Sequence, residues 1–283
     1  VFDVLEPLYR QDALWDDLVR LHENYLRFVK ETGERIGLYK TICDLQENYI
    51  QDPDGAFKTW ARAFAESESD VEIQEKLESL AAQMALWSDL VEVYRASARK
   101  LSRKASQDAD ARELAIQIWL KAARVCEEEL SDAAGAEEAN KAVLAMDHEN
   151  FTALENLDRI YTANGMMPEL AEILDRRAKT SQDSYDRIQF LFRLAYVREA
   201  ELQDVPAAVA ALEAVLREEE GNRDALEGLE RIHFNNRDFK ALFSVYERMS
   251  KAFTSDDEVA EALAHMAKIA SDALKNPLGA KDL

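Results

Sequence analysis

Four histidines, two cysteines and a large surplus of carboxylates are the side chains in this 283-residue sequence with the means to do chemistry. The histidines are His22, His148, His233 and His265. None is followed by a second histidine at the three-residue gap that puts two imidazoles on one helix face, and none lies near a cysteine, so no metal-ligand spacing is met. Cys43 and Cys126 stand far apart without a CxxC, which gives neither a zinc ribbon nor a disulfide framework. Each sits in an apolar helical stretch, where a free thiol behaves as a small hydrophobe. Two lone thiols of this kind fit a reducing, cytoplasmic setting. Carboxylates cluster as Glu127-Glu128-Glu129 and Glu218-Glu219-Glu220. A general acid needs a carboxylate in an apolar cleft, and these runs flank helix ends. The sequence contains no GxxxxGK[ST], GxGxxG or GxSxG, so phosphate-cradling loops and nucleophile elbows lack support. The expectation is a chain with no catalytic residue, no cofactor and no metal.

The elements that carry these residues are helices. Glycine (8) and proline (5) are scarce, and 47% of residues are hydrophobic, with helix formers dominating. That excludes both a many-stranded sheet protein and a disordered acidic tail. The formal net charge of −21, from 35 Lys+Arg against 56 Asp+Glu, argues against binding nucleic-acid backbones or anionic membrane surfaces, both of which need a basic footprint.

An internal repeat organises the chain. Trp15-Asp16-Asp17-Leu18-Val19 recurs as Trp87-Ser88-Asp89-Leu90-Val91, then as Met167-Pro168-Glu169-Leu170-Ala171 and Phe239-Lys240-Ala241-Leu242-Phe243. A second marker, Gln51-Asp52-Pro53-Asp54-Gly55-Ala56, matches residues 131–136, 203–208 and 275–280. Both markers fit a period of 72 with one eight-residue insertion near 98–113. Apolar columns then align: Leu5, Leu77, Leu157 and Leu229; Ile42, Ala122, Leu194 and Met266; Ile50, Leu130, Leu202 and Leu274. Apolar steps of three and four give four helices per unit. Breaks are expected at Gly33, Asp52-Pro53-Asp54-Gly55, Asn150, Asn164-Gly165, Asp204-Val205-Pro206, Gly221-Asn222 and Asn276-Pro277. The large side chains opening the second helices, Trp15, Trp87, Met167 and Phe239, read as packing plugs. The predicted fold is all-α: a right-handed α-solenoid of about eight antiparallel helical hairpins, repeated as a 72-residue four-helix unit over a single array, 1–283, with units near 1–69, 70–149, 150–221 and a truncated 222–283.

These residues resemble tetratricopeptide repeats. Half of the 72-residue unit is close to that family's 34-residue hairpin. Leu194-Ala195 followed by Ala207-Ala208 and Leu212 fits the family pattern, Leu157-Asp158 with Tyr161 fits it loosely, and Asp147-His148-Glu149-Asn150 looks like its inter-repeat link. Alternate hairpins differ, so the repeat is a pair, and the family's first marker Trp is generally missing. A related half-repeat family of RNA-processing scaffolds is suggested by Phe57-Lys58-Thr59-Trp60, but Asn140 stands at the Trp60 position one unit later. The resemblance implies a protein or peptide partner on a concave face lined by the first helix of each hairpin. Carried over residue by residue, it places Arg124, Arg159, Arg231, Tyr196 and Lys268 on that face. Asp44 stands where the family's chaperone-tail clamp wants Asn.

The insertion is the second candidate contact. Arg99, Lys100, Arg103 and Lys104 bring four cations into an acidic chain, either to meet an acidic partner or another copy, or to pair with adjacent Glu where two helices are each extended by a turn. The expected function is a non-enzymatic protein–protein interaction scaffold, with self-association through the repeat ends as a further possibility. The alternative is a regulatory or sensor domain of a larger protein whose catalytic or DNA-binding part lies elsewhere, since the chain reads as a fragment that starts and stops mid-repeat.

Overall fold

The computed structural model describes residues 1–273, among which there are fifteen α-helices and no strand. The chain forms two compact units, Val1–His148 and the remainder from Glu149. The first holds α1 (Phe2–Gln11), α2 (Trp15–Leu26), α3 (Thr32–Asp44), α4 (Pro53–Glu66), α5 (Val71–Met84), α6 (Trp87–Ser102), α7 (Ala109–Glu128) and α8 (Ala133–Met146). The second holds α9 (Phe151–Asn164), α10 (Met167–Thr180), α11 (Ser184–Tyr196), α12 (Val205–Glu218), α13 (Arg223–Asn235), α14 (Phe239–Ala252) and α15 (Asp256–Lys268). Odd-numbered helices open the hairpins and even-numbered helices close them. The eighth hairpin begins with α15, and Leu274 and the 275–280 copy of the second marker lie outside the described residues.

Local chemistry accounts for the helix starts. Six of the eight described opening helices are capped by side chains that accept from the orphan amides of the first turn: Glu31, Asp70 and Asp108 in the first unit, Asn150, Asp183 and Asn222 in the second. Closing helices α4, α8 and α12 are capped in the same way by Asp52, Asp132 and Asp204. Gly33 does not break the chain as its type suggested. It lies in the first turn of α3, where its amide donates to the Glu31 carboxylate at 2.9 Å.

The turns inside hairpins carry the repeat in the backbone. Every residue with φ above zero among those described falls in one of two repeat columns: Ala13, Ala85, Gly165 and Arg237, or Gln51, Ser131 and Gln203. In the first column the turn closes by a bond spanning five residues, Leu14 N–H to Tyr9 O at 2.9 Å, Leu86 to Ala81 at 3.0 Å, Met166 to Tyr161 at 3.0 Å and Asp238 to His233 at 2.9 Å. That is the helix-ending motif a left-handed residue makes possible. In the second column the preceding helix widens, as a π-turn at Leu45–Ile50 and Val197–Glu201. There the bond spans six residues, Asp52 N–H to Gln46 O at 2.8 Å, Asp132 to Cys126 at 2.7 Å and Asp204 to Arg198 at 2.7 Å. A further π-turn, Ile269–Ala273, falls at the equivalent place after α15.

Two of the apolar columns supply core residues, whereas Leu5 and the column of Ile50, Leu130 and Leu202 are half-buried. Leu77, Leu157 and Leu229 are buried, as are Ile42, Ala122, Leu194 and Met266. Cys43 and Cys126 are buried free thiols, and burial raises the pKa of both, which keeps them protonated. Trp15 packs against Tyr49 with ring centroids 4.4 Å apart, and Trp87 and Met167 are half-buried at the same column. Ion pairs also recur by column. Arg35 on α3 donates to Glu66 on α4 at 2.5 Å and to the Leu26 and Val29 carbonyls at 2.7 and 3.0 Å. Arg187 on α11 repeats this with Glu218 at 2.8 Å and the Ser181 carbonyl at 2.7 Å. In the fourth hairpin the same two columns hold Ala115 and Met146, so the pair has been exchanged as a unit for an apolar one.

The eight inserted residues lengthen α6, the 103–108 link and the start of α7. The helix α6 runs 16 residues against 12 in α2, and α7 runs 20. Arg99 reaches Glu138 at 2.9 Å and Lys100 reaches Glu68 at 2.8 Å and the Ala65 carbonyl at 2.7 Å.

The left-handed column yields a stability test. This backbone costs an L-residue other than Gly or Asn about 1 kcal/mol, so Ala85→Gly raises the unfolding free energy by about that amount in urea denaturation, while Gly165→Ala lowers it by about 1 kcal/mol. Equal destabilisation by both substitutions sinks the assignment of column-wide strain.

Candidate functional site: the face of the first helices

One column of the opening helices holds an acid in every odd hairpin: Glu6, Glu78, Asp158 and Glu230. The first pairs locally with Arg10 at 2.8 Å. In the first unit Glu78 on α5 accepts from the Tyr94 hydroxyl on α6 at 2.7 Å and from Lys121 on α7 at 2.9 Å, with Arg124 3.6 Å away. In the second unit Asp158 on α9 is buried and accepts from both arms of Arg193 on α11, at 2.8 and 2.7 Å, and from Arg177 on α10. Thr162 donates its hydroxyl to the same carboxylate at 3.3 Å. Glu230 on α13 accepts from the Tyr246 hydroxyl on α14 at 2.6 Å, as Glu78 does from Tyr94. At Glu78, Asp158 and Glu230 the column therefore ties an opening helix to the helix that closes its hairpin and, at Glu78 and Asp158, to the next opening helix.

The charges at these joints are unequal. Glu78 faces Lys121 and Arg124, and Asp158 faces Arg177 and Arg193, so each carboxylate meets two cations. Burial alone raises the Asp158 pKa, but the hydrogen bonds and charge of Arg193, followed by those of Arg177, override it and hold the carboxyl below the usual aspartate range. Arg177 is also stacked, its guanidinium 4.2 Å from the Phe190 ring centroid, so its orientation is fixed twice.

The residues the sequence singled out have unequal surroundings. Arg231 forms a two-pronged pair with Glu199, at 2.5 and 2.7 Å. Arg124 borders Glu78, and Arg159 donates to Asn156 at 3.3 Å. Tyr196 is exposed at the end of α11. Lys268 lines a concavity of about 700 Å³ between α13, α14 and α15, together with Arg231, Phe234, Phe239, Tyr246 and His265. Lys268 makes no ion pair among the described residues. In the insertion, Arg99 and Lys100 are committed to Glu138 and Glu68, whereas Arg103 and Lys104 are exposed and make no ion pair among the described residues. Of the histidines, His22 is buried with Nδ1 2.9 Å from the Leu18 carbonyl, and His265 stacks on Tyr246 at 4.9 Å.

Sequence reasoning missed Asp158, Arg177 and Arg193, and it missed the aromatic lining supplied by Phe234 and Tyr246. The column of acids was a usable signal: one carboxylate kept at a single repeat position across four units needs a partner at a fixed position too. Among the described residues no group of three or more His, Cys, Asp or Glu side chains is arranged to hold a metal ion. No described helix is long and apolar enough to cross a membrane.

The Asp158 joint is testable by acid. A carboxyl with a depressed folded-state pKa stabilises above its unfolded value, about 3.9, and loses that contribution as pH falls through the folded value. Asp158→Asn is therefore less stable than the parent by a constant margin above about pH 5, and the margin closes as pH falls below about 4. Asp158→Ala, which strands two guanidiniums, costs about 3 kcal/mol at neutral pH. Urea midpoints measured across the acid range up to neutrality check both, and a margin that does not close in acid contradicts the assignment.

No protein-family model and no curated protein matches the sequence. Solved structures similar in fold include YrrB, described as a tetratricopeptide repeat protein with an unusual peptide-binding site: 14% identical, TM-score 0.34, covering 58% of this chain and 80% of that one. A tetratricopeptide repeat protein from Parabacteroides merdae is 11% identical with a TM-score of 0.28, covering 94% and 97%. Yeast Tom70 is 11% identical with a TM-score of 0.32, covering 96% of this chain and 62% of its own. The likeness is one of stacked helical hairpins, and the fold assignment stands on the hairpins, caps and turns of this chain: an all-α, tetratricopeptide-like solenoid.

Proposed function

We propose that this chain is a non-enzymatic scaffold, and that it holds a protein or peptide segment against the face lined by its opening helices. The observation that carries this reading is the exposure of large side chains near the ends of those helices and at the start of a closing helix. Tyr196, Phe234 and Phe239 are 63%, 62% and 37% exposed, in a protein whose neighbouring columns bury their apolar residues almost completely. Phe234 and Phe239 line a concavity, and aromatic side chains left in water are what association buries most favourably. The acidic shell supports a role that depends on solubility and on selection against acidic partners elsewhere on the surface. The whole of 1–283 is read as one array in a cytoplasmic setting.

The insertion is a second contact in this proposal, and it acts through Arg103 and Lys104, because Arg99 and Lys100 already serve the fold. Self-association through the ends of the array is part of the same reading.

Affinity capture followed by mass spectrometry tests it when run on three forms of the chain. The parent captures a defined protein. Tyr196→Glu combined with Phe234→Glu loses that protein by roughly tenfold or more, as expected for removal of aromatic anchors, while its melting temperature is unchanged. Arg103→Glu with Lys104→Glu separates the insertion from the opening-helix face. An unchanged set of captured proteins in all three forms refutes the proposal. Light scattering that gives a strict monomer at all concentrations counts against self-association.

A further inference from the structure

Two concavities of the second unit occupy the same position in the repeat and differ in chemistry. One lies over α9 and α11 and includes Asp158, Arg159, Thr162, Arg177 and Arg193. The other lies over α13 and α15, and its lining residues Glu230, Arg231, Phe234 and His265 stand 72 positions after Asp158, Arg159, Thr162 and Arg193. At the first, two guanidiniums face one carboxylate, and Arg193 keeps 44% of its side chain exposed, so its planar fork has donors left for an incoming anion. At the second the cation column holds His265, which lies flat on Tyr246 with an interplanar angle of 7°. Thr162 is replaced there by Phe234, and the wall becomes aromatic, with the ammonium of Lys268, unpaired among the described residues, at its edge.

Resting on the reading that the opening-helix face binds peptide, we infer that the second unit recognises an extended segment of a partner protein that carries an acidic side chain and a large aromatic or aliphatic side chain about six residues apart. The acidic side chain meets Arg193 beside the Asp158 joint, and the apolar one enters the cleft between Phe234, Phe239 and Tyr246. Charge selects the occupant: at the first concavity the guanidiniums of Arg159, Arg177 and Arg193 outnumber the carboxylates of Asp158 and Glu155, whereas at the second the Glu230 carboxylate accepts from the Tyr246 hydroxyl and the walls are aromatic. The spacing follows from the stack. Successive opening helices pack about 10 Å apart, the two sites are two hairpins apart, and an extended chain advances about 3.3 Å per residue, which gives about six residues over about 20 Å. A helical segment, at about 1.5 Å per residue, would need roughly thirteen.

The test uses the full 283-residue chain and fluorescein-labelled peptides of about twelve residues built on Gly, Ser and Ala. Each carries one Glu and one Phe six positions apart, in both orders, and binding is read by fluorescence anisotropy. The expected result is saturable binding in one order, weakened roughly tenfold when Glu becomes Gln or Phe becomes Ala. Phe234→Ala, a change at an exposed position, abolishes the dependence on the peptide's Phe and leaves the dependence on its Glu. A peptide set that binds equally with or without Glu and Phe overturns the inference, as does a Phe234→Ala chain that still discriminates Phe from Ala. Absence of all binding to the full chain overturns it too, since the cleft is then closed to an outside segment. Failure here is distinguishable from failure of the scaffold reading: a captured protein that is lost with Tyr196→Glu and Phe234→Glu, alongside peptides that show no preference, keeps the scaffold and discards this recognition code.

Discussion

A single left-handed residue inside each hairpin is the constraint on which the rest of the structure depends. A helical hairpin of this size cannot bury its apolar face alone and gains stability only by stacking on its neighbours. Stacking with a constant register requires every hairpin to reverse at the same residue and at the same angle. The chain meets that requirement with φ between 51° and 67° at seven positions, and those positions fall into two columns. The columns differ because alternate opening helices end differently, one kind in a five-residue bond and the other in a widened turn closed by a six-residue bond. Two endings produce two kinds of hairpin, and that is why the repeat is 72 residues long rather than half of that.

How much of this was legible in the sequence depended on whether the signal was a column or a pair. The apolar columns were plain, because a buried site such as Leu77, Leu157 and Leu229 tolerates little change in volume. The turns were only partly plain. Gly165 announces its conformation by its type, but Ala13, Ala85 and Arg237 adopt the same backbone with no local sign of it, because tertiary stacking overrides their preference. Aligning the units supplies the missing information, since all three share a column with Gly165. Gly33 misled in the opposite direction. Its glycine serves the close approach of the Glu31 capping carboxylate, since a β-carbon at that position would stand only 3.2 Å from both oxygens, and it does not reverse the chain.

The charged contacts were hidden for a different reason. Many of their partners sit 31 to 39 residues apart, as in Arg35 with Glu66, Arg231 with Glu199 and Arg99 with Glu138, beyond the reach of any local pattern. Arg231, placed by register alone on the face expected to bind, is answered by Glu199 in the π-turn that ends α11. Pairs of this kind also explain how a chain with a net charge of −21 remains compact: many of its cations are held between helices, where partial burial gives them more effect than an exposed pair has. At the Arg35–Glu66 position both partners are replaced one unit later, by Ala115 and Met146, so neither charge is left uncompensated there.

The acid column carries this logic to the surface where binding is proposed. At Glu78 and Asp158 the carboxylate fastens one opening helix to the next through a cation, so the contact that sets the spacing of the hairpins also leaves a second cation beside it. At Glu230 the fastening to its own hairpin survives in the Tyr246 hydroxyl, while the residue in the cation column has become His265, which stacks on Tyr246 and has its Nε2 3.9 Å from the Glu261 carboxylate on its own helix. Losing that cation removes the polar plug from the groove and leaves aromatic walls in its place. A repeat protein gains specificity by this route: the stack holds the spacing constant, and exchanges at a few columns change what each position along the groove prefers.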